Sequence, residues 1–176
     1  MKGKRGFLIL AVAVLVVDQA AKVWAIRSLK AVGSIEVIPG FFRLSYAVNR
    51  GVAFSLFADS QFDLRWVLAA VSAFAAVLVV VYLVRFEGHR PLMGVALCLL
   101  LSGIVGNLID RIRLGEVVDF LDFHLAERFN WPIFNVADSA ICIGAALLAI
   151  ELLREDRRER DLAAERVGRA SEDLSN

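Results

Sequence analysis

The chain has 176 residues, of which 59% are hydrophobic, and its formal net charge is +1. A mean hydropathy of +0.65 is well above the usual range of soluble domains and indicates a membrane protein. The near-neutral charge, with no basic run interleaved with aromatic residues, excludes a nucleic-acid partner.

The cysteines and histidines do not form a pattern typical of a metal site. Cys98 and Cys142 lie in apolar segments and form no CxxC motif. His89 and His124 lie in different loops, which is too little for a zinc site with three protein ligands. We therefore expect neither a metal nor another cofactor.

The first predicted transmembrane helix covers residues 7–26, close to the roughly 20 residues that a helix needs to cross the hydrocarbon core. A basic N-terminus followed by an apolar run is also typical of a cleavable signal peptide. Asp18, Gln19 and Lys22 stand where the small residues of a cleavage site would be expected, so a retained helix is favoured.

Three further segments predict transmembrane helices. Residues 66–84 and 91–109 contain no charged side chain, and residues 132–150 contain one, Asp138. The expected fold is an all-α polytopic membrane protein with four transmembrane helices. Residues 1–154 are expected to form one membrane-embedded domain, and residues 155–176 a charged cytoplasmic tail.

Basic residues indicate the orientation of the four helices. The N-terminal cluster, the loop of residues 85–90 and the arginine-rich tail lie on one side, so both termini are expected in the cytoplasm. The two outer segments are then residues 27–65 and 110–131. Within the first, residues 35–57 are rich in β-branched and aromatic types around turn glycines, which predicts a small sheet at the membrane surface.

Charged residues inside a transmembrane helix cost about 2.5 to 3.5 kcal/mol each on insertion scales, so each suggests a function. Asp18 and Lys22 are spaced four residues apart and therefore lie on one helix face, in the order that favours an ion pair. The alternative to a function is that the pair only neutralises itself near the outer interface.

Two aspartates flank the connection into the fourth predicted helix. Asp138 follows Asn135 by three residues, so Asn135 could simply cap the helix while Asp138 complements its dipole. Asp119 lies in a short amphipathic stretch and could be merely solvated. If the two face each other, however, one can hold a proton while the other is ionised, which is the arrangement of an aspartate peptidase.

Five motifs occur in order along the chain: Asp18-Gln19-x-x-Lys22; Asn49-Arg50-Gly51-Val52-Ala53-Phe54; Gly103-x-x-Gly106-Asn107-x-x-Asp110-Arg111; Val117-Val118-Asp119-Phe120; and Asn135-x-Ala137-Asp138. With these motifs the chain resembles the lipoprotein signal peptidases, or signal peptidase II family, of bacterial inner membranes. The resemblance covers all but roughly the last 20 residues.

The resemblance implies a catalytic pair at Asp119 and Asp138. It implies supporting or substrate-binding roles for a second set of residues, namely Asp18, Lys22, Asn49, Gly51, Gly103, Gly106, Asn107, Asp110, Arg111, Asn135 and Ala137. Ser102 departs from the family, which usually has glycine there. A serine adds only a small side chain and can bond back to the helix, so we expect a packing adjustment and no loss of activity.

The substrate implied by the resemblance is a prolipoprotein whose cysteine carries diacylglycerol, cleaved before that cysteine at an active site near the outer membrane face. Expected partners are these precursors and membrane lipids, and the protein is expected to be a monomer.

Two other functions are compatible with some of these residues. A serine-lysine peptidase would use Lys22 as base and Ser45 or Ser55 as nucleophile, but neither serine lies in a recognisable motif. A small transporter would use Asp18, Asp110 and Asp138 as a proton relay, but the chain lacks the internal repeat that gives alternating halves.

Overall fold

The computed structural model of the protein describes residues 2–51, 64–86, 89–125 and 129–173. The elements follow in the order α1 (Lys2–Ser28), β1 (Ser34–Ile38), β2 (Phe42–Asn49), α2 (Leu64–Arg85), α3 (Pro91–Leu114), β3 (Val117–Leu125), β4 (Phe129–Asn130) and α4 (Val136–Asp173). Within these ranges, four helices are long and apolar enough to cross a membrane. The predicted four-helix membrane fold with a small sheet is confirmed.

The sheet differs from its prediction in one respect. Antiparallel β1 and β2 come from the first outer segment as predicted, although residues 52–57 of the predicted region lie outside the described residues. The second outer segment, expected to be only a short amphipathic stretch, supplies β3, which pairs antiparallel with β2 and is extended by the two-residue β4. The sheet order is β1-β2-β3-β4, so Asp119 lies on a strand and not in a loop.

The fourth helix begins later than predicted, at Val136 and not at Pro132. The reason is that Phe134 is still extended and exchanges backbone hydrogen bonds with Leu121 of β3. Asn135 then caps the first turn, its Oδ1 accepting the Asp138 N–H at 2.9 Å. The helix continues without a break through residue 154, and Glu155 forms an ion pair with Arg90 at the start of α3.

The connection from α3 to β3 is a tight turn. Gly115 adopts a left-handed conformation, φ 81°, and its N–H returns to the Arg111 carbonyl at 3.2 Å. Val118 and Phe120 of β3 then pack on Ala25 and Leu29 of α1 in a buried apolar cluster. This packing fixes the strand that carries Asp119 against the end of α1.

Helices α3 and α4 pack closely through small residues. A Cβ added at Gly103 would collide with the Ala137 carbonyl oxygen and lie 2.7 Å from Cγ1 of Ile141. A Cβ at Gly144 would lie 2.9 Å from the Ala96 carbonyl oxygen. Such close approach is what small residues permit in membranes, and it brings the polar face of α3 against the start of α4.

Candidate active site

Asn135 lies between the two aspartates and contacts both. Its side-chain Nδ2 donates to Oδ1 of Asp119 at 2.6 Å, while its side-chain Oδ1 accepts the Asp138 N–H. Its backbone N–H donates to Oδ2 of Asp138 at 3.3 Å, so Asn135 and Asp138 form a reciprocal capping box. The helix cap considered in the sequence analysis is therefore present, and the same residue joins the cap to Asp119.

Asn107 of α3 holds the other oxygen of Asp138. Its Nδ2 donates to Oδ1 of Asp138 at 2.7 Å, and its Oδ1 accepts from Nζ of Lys22 at 2.9 Å. Because Lys22 can only donate, the orientation of the Asn107 amide is fixed, with its NH₂ group directed at Asp138.

Lys22 is buried at 2% exposure and contacts two carboxylates, those of Asp18 and Asp110. Its Nζ lies 3.1 Å from Oδ2 of Asp18 and 2.9 Å from Oδ2 of Asp110. The predicted pair of Asp18 and Lys22 is thus part of a three-residue ionic cluster between α1 and α3. A buried ammonium with two carboxylates and one amide oxygen has each of its protons directed at an acceptor.

Asp18 also reaches the start of α4. Its Oδ1 accepts the backbone N–H of Ala137 at 2.8 Å, which satisfies one of the free donors in the first turn of that helix. Gly106 leaves room for this contact, because a Cβ there would lie 2.6 Å from Oδ2 of Asp18 and 3.3 Å from the Ala137 Cβ. Gly103, Gly106 and Ala137 therefore act through close packing and backbone contacts.

Asp110 links the ionic cluster to β3, since its Oδ2 accepts the Val118 N–H at 3.3 Å, one residue before Asp119. Arg111, in contrast, points toward α2. Its Nη1 lies 3.4 Å from Oγ of Ser72 on α2 and from the Asn107 carbonyl oxygen, so it braces α2 and α3. It is also close enough for Coulombic attraction to Asp138 and Asp119.

Asn49 and Gly51 approach the site from the end of β2. The Asn49 side chain hydrogen-bonds to Asp119, and its Oδ1 accepts the Gly51 N–H at 2.9 Å. Gly51 has φ +77°, and a Cβ there would collide with Leu68 of α2. Val52, Ala53 and Phe54, the remainder of this motif, lie outside the described residues.

The pKa of Asp119 is raised from its usual range to about 6. Burial is the largest cause, and the negative charge of Asp138 is the second; hydrogen bonds from Asn135 and Asn49 oppose the rise. A carboxyl group with this pKa holds its proton in weakly acidic solution, where an ordinary aspartate would be ionised.

Two polar groups of this region were not among the predicted site residues. Gln19 donates from Nε2 to Asp18, to the Gly106 carbonyl and to Asp110. It stood inside the first motif, so its position next to Asp18 was a usable signal. Asp122 of β3 is buried and accepts from Arg43 at 2.5 Å and from Ser45 at 2.8 Å, a contact that required knowledge of the strand pairing.

The serine-lysine alternative does not agree with these contacts. Ser45 donates to Asp122 on the sheet, whereas Lys22 is enclosed by Asp18, Asp110 and Asn107. Ser55 lies outside the described residues. Among the residues that the structure describes, no three side chains of His, Cys, Asp or Glu form a group that could hold a metal ion.

Comparisons with known proteins agree on one family. A family model described as signal peptidase (SPase) II matches residues 10–154. The chain is 49% identical over 146 residues to the lipoprotein signal peptidase of Geobacter sulfurreducens, covering 82% of this chain and 89% of the relative. It is 42% identical over 161 residues to the lipoprotein signal peptidase of Ectopseudomonas mendocina, covering 92% of this chain and 95% of the relative.

The fold is similar to solved structures. One, described as a bacterial membrane enzyme, has a TM-score of 0.74 and 33% identity, and the match covers 84% of this chain and 92% of the other. A second structure with the same description has a TM-score of 0.73 and 32% identity, and the match covers 86% of this chain and 89% of the other.

Proposed function

The chain belongs to the signal peptidase II family, and we propose that Asp119 and Asp138 form its catalytic dyad. It is a multi-pass peptidase of the bacterial inner membrane that removes signal peptides from prolipoproteins. The observation that best supports the dyad is the bridge through Asn135, which contacts one carboxyl oxygen of Asp119 and both the backbone and side chain of Asp138.

The surroundings of the two carboxyl groups suggest different roles. Each oxygen of Asp138 accepts a hydrogen bond, one from Asn107 and one from the Asn135 N–H. An ionised carboxylate is an acceptor only, so Asp138 suits the role of general base. Asp119, whose pKa is raised to about 6, suits the role of general acid.

In the proposed reaction, a water molecule attacks the carbonyl carbon of the scissile peptide bond. Asp138 takes a proton from the water while Asp119 gives its proton to the carbonyl oxygen, which avoids a full negative charge there. The C–N bond of the resulting intermediate then breaks. Asp138 returns its proton to the leaving amine, and Asp119 recovers one from the hydroxyl group of the intermediate as the carboxylic acid forms. Atoms and charge balance without a cofactor.

The remaining contacts keep this pair in position. Lys22 orients Asn107, and Asn107 orients Asp138. Asn49 approaches Asp119 from the end of β2. Asp110, Asp18 and Ala137 fix β3 and α4 around the dyad, and Arg111, Gly51, Gly103 and Gly106 fix the helices behind it.

The proposed precursor carries diacylglycerol on its cysteine and is cleaved before that residue. Exposed apolar side chains such as Phe74 and Val71 of α2 give the acyl chains and the signal helix a lipid-like surface on which to lie. We further propose that the protein acts as a monomer, that residues 1–154 form the peptidase domain, and that residues 155–176 are a cytoplasmic tail.

The test is cleavage of a purified precursor by the purified chain in detergent. A diacylglyceryl-modified precursor should be cut before the cysteine, and the same precursor without the lipid should be cut much more slowly. Equal rates with and without the lipid would contradict the proposed substrate but not the dyad. Absence of cleavage of either form would contradict the proposed function itself.

The rate should depend on pH as a bell whose two limbs belong to the pair of carboxyl groups. The alkaline limb of kcat/KM is expected near pH 6, where Asp119 loses its proton.

Because the pKa of Asp119 is raised in the folded protein, its contribution to stability is present at low pH and is lost as pH rises through about 6. The Asn side chain of Asp119→Asn cannot ionise, so the Tm of this variant should rise relative to that of the wild type as the pH rises through about 6. A difference in Tm that stays constant from pH 4 to pH 8 would contradict the raised pKa.

We propose that both termini lie in the cytoplasm and that the dyad lies near the outer face. Reporters fused at Glu87 and Asp59, two positions outside the described residues, should then behave as cytoplasmic and external, respectively. A reporter that is active externally at Glu87, or in the cytoplasm at Asp59, would reverse the orientation.

A further inference from the structure

A cavity lies at the other end of the helix bundle from the dyad. Its volume is about 540 Å³, and it lies where α2 ends and α3 begins. Residues that line it include Tyr82, Arg85, Phe86, Arg90, Met93 and Glu155. At 1.5 Å per residue, Arg90 and Asp110 of α3 are about 30 Å apart, so the cavity is too far from the dyad to belong to the same site.

The charge of this region is mainly positive. A smaller cavity of about 180 Å³ adjoins it through Arg90 and Glu155 and adds Arg154, Arg158 and Glu151. Together the two cavities are lined by four arginines and two glutamates, and Arg90 pairs with Glu155. Arg85 and Arg90 are exposed, and guanidinium groups bind phosphate oxygens through two hydrogen bonds at once.

The start of α3 adds backbone donors. Arg90 occupies the N-cap position in an extended conformation, with Pro91 as the first helical residue, and the Arg90 side chain does not cap the turn. The first intrahelical bond is from the Gly94 N–H to the Arg90 carbonyl. Uncapped N–H groups at a helix start, together with the helix dipole, favour a bound anion.

An apolar groove adjoins the basic cavity at the same end of the bundle. It has a volume of about 280 Å³, and Phe86 lines both spaces. Its other lining residues are Phe7 and Leu8 of α1 and Leu83 and Val84 of α2. Arg85 and Pro91 are the terminal residues of two apolar membrane-spanning helices, so both spaces lie at the depth where lipid headgroups meet the acyl chains.

We propose that the basic cavity binds the phosphate headgroup of an anionic phospholipid, with one acyl chain in the groove between α1 and α2. The arginines and the start of α3 bind the phosphate, and Phe86, which lines both spaces, lies between headgroup and chain. A soluble phosphate would use the same donors but would leave the groove unused. This site is independent of the peptidase reaction.

The experiment compares lipid retention by the full chain in mixed micelles containing phosphatidylglycerol or phosphatidylcholine, measured by native mass spectrometry. The wild type should retain phosphatidylglycerol in preference to phosphatidylcholine. The double variant Arg85→Gln/Arg90→Gln should bind phosphatidylglycerol about 25-fold more weakly, from about fivefold per arginine. Glu155→Gln should bind it more tightly, because the carboxylate that competes for Arg90 is gone.

Arg113→Gln is the matched control, since Arg113 is an exposed arginine at the opposite end of α3. It should bind phosphatidylglycerol as the wild type does. A gain with Glu155→Gln also separates binding from misfolding, which could only weaken it. Equal retention of the two lipids, an unchanged Arg85→Gln/Arg90→Gln variant, or an equal loss with Arg113→Gln would overturn the proposal. Displacement by millimolar inorganic phosphate would assign the cavity to soluble anions and overturn the lipid site.

Discussion

Replacing Asp119 or Asp138 with Asn is expected to lower turnover of a diacylglyceryl-modified precursor by a factor of about 10² to 10⁴. Either change removes the acid or the base of the proposed dyad. Because the two groups act together, the double variant should have about the same turnover as the less active of the two single variants. Precursor affinity should largely survive, since it would come from the lipid and the apolar signal helix.

The two variants should differ in stability. At Asp119, Asn keeps an oxygen that can accept from Asn135, and Asn49, which also donates to Asp119, is exposed and can donate to water instead. At Asp138, both oxygens already accept hydrogen bonds, so an amide must place its NH₂ against either Asn107 or the Asn135 N–H. One donor is then unpaired, at a cost of about 1–3 kcal/mol. Asp138→Asn should therefore have the lower Tm of the two.

Asp122→Asn is the control for a buried aspartate on the same strand. Asp122 contacts Arg43 and Ser45 and not the dyad, so its variant should lose stability while each folded molecule retains its turnover. Near wild-type cleavage by Asp119→Asn/Asp138→Asn, or complete inhibition of the wild type by a chelator, would contradict the aspartate mechanism.

The membrane helices could be predicted because lipid requires long apolar segments, a constraint that acts on every residue of the helix. Their ends were less predictable. Pro132 indicated a helix start, but Phe134 is bound to Leu121 of β3, and such a contact depends on a strand distant in sequence. The role of residues 117–125 as a strand was missed for the same reason, because their pairing with β2 becomes visible only in three dimensions.

Asp18, Lys22 and Asp138 could be selected from sequence because a charge is costly in an apolar segment, whereas most of the other site residues were named from the resemblance to the family. Their partners were only partly predictable. The contact between Asp18 and Lys22 follows from helical spacing, whereas those from Asp18 to the Ala137 N–H and from Lys22 to Asp110 join distant parts of the chain. A serine hydroxyl can bond back to its own helix, and Oγ of Ser102 does so, to the Leu99 carbonyl at 3.0 Å.

The second large effect is expected at Lys22. In Lys22→Met the side chain stays long and unbranched but loses the charge, so Asp18 and Asp110 are left buried without their cation. Breaking a buried ion pair from one side typically costs about 3–5 kcal/mol. We expect a large fall in Tm and in the amount of folded protein. Lys30→Met is the control, because Lys30 is exposed near the end of α1. Its Nζ lies 5.9 Å from the centre of the Tyr46 ring, so its loss should change stability by no more than about 1 kcal/mol.

Asp18→Asn separates the structural role of the ionic cluster from the chemistry. Asn can still accept the Ala137 N–H through its oxygen, but its NH₂ then faces Nζ of Lys22 and Nε2 of Gln19, which Oδ2 of Asp18 accepts in the wild type. Because Lys22 keeps Asp110 as a partner, the loss of stability should still be smaller than in Lys22→Met. Lys22 still donates to Asn107, which leaves the orientation of Asp138 intact. Turnover per folded molecule should therefore remain measurable while Tm falls. If Asp18→Asn instead has a normal Tm and normal protein levels but no turnover, Asp18 takes part in the reaction and the division between the ionic cluster and the dyad is wrong.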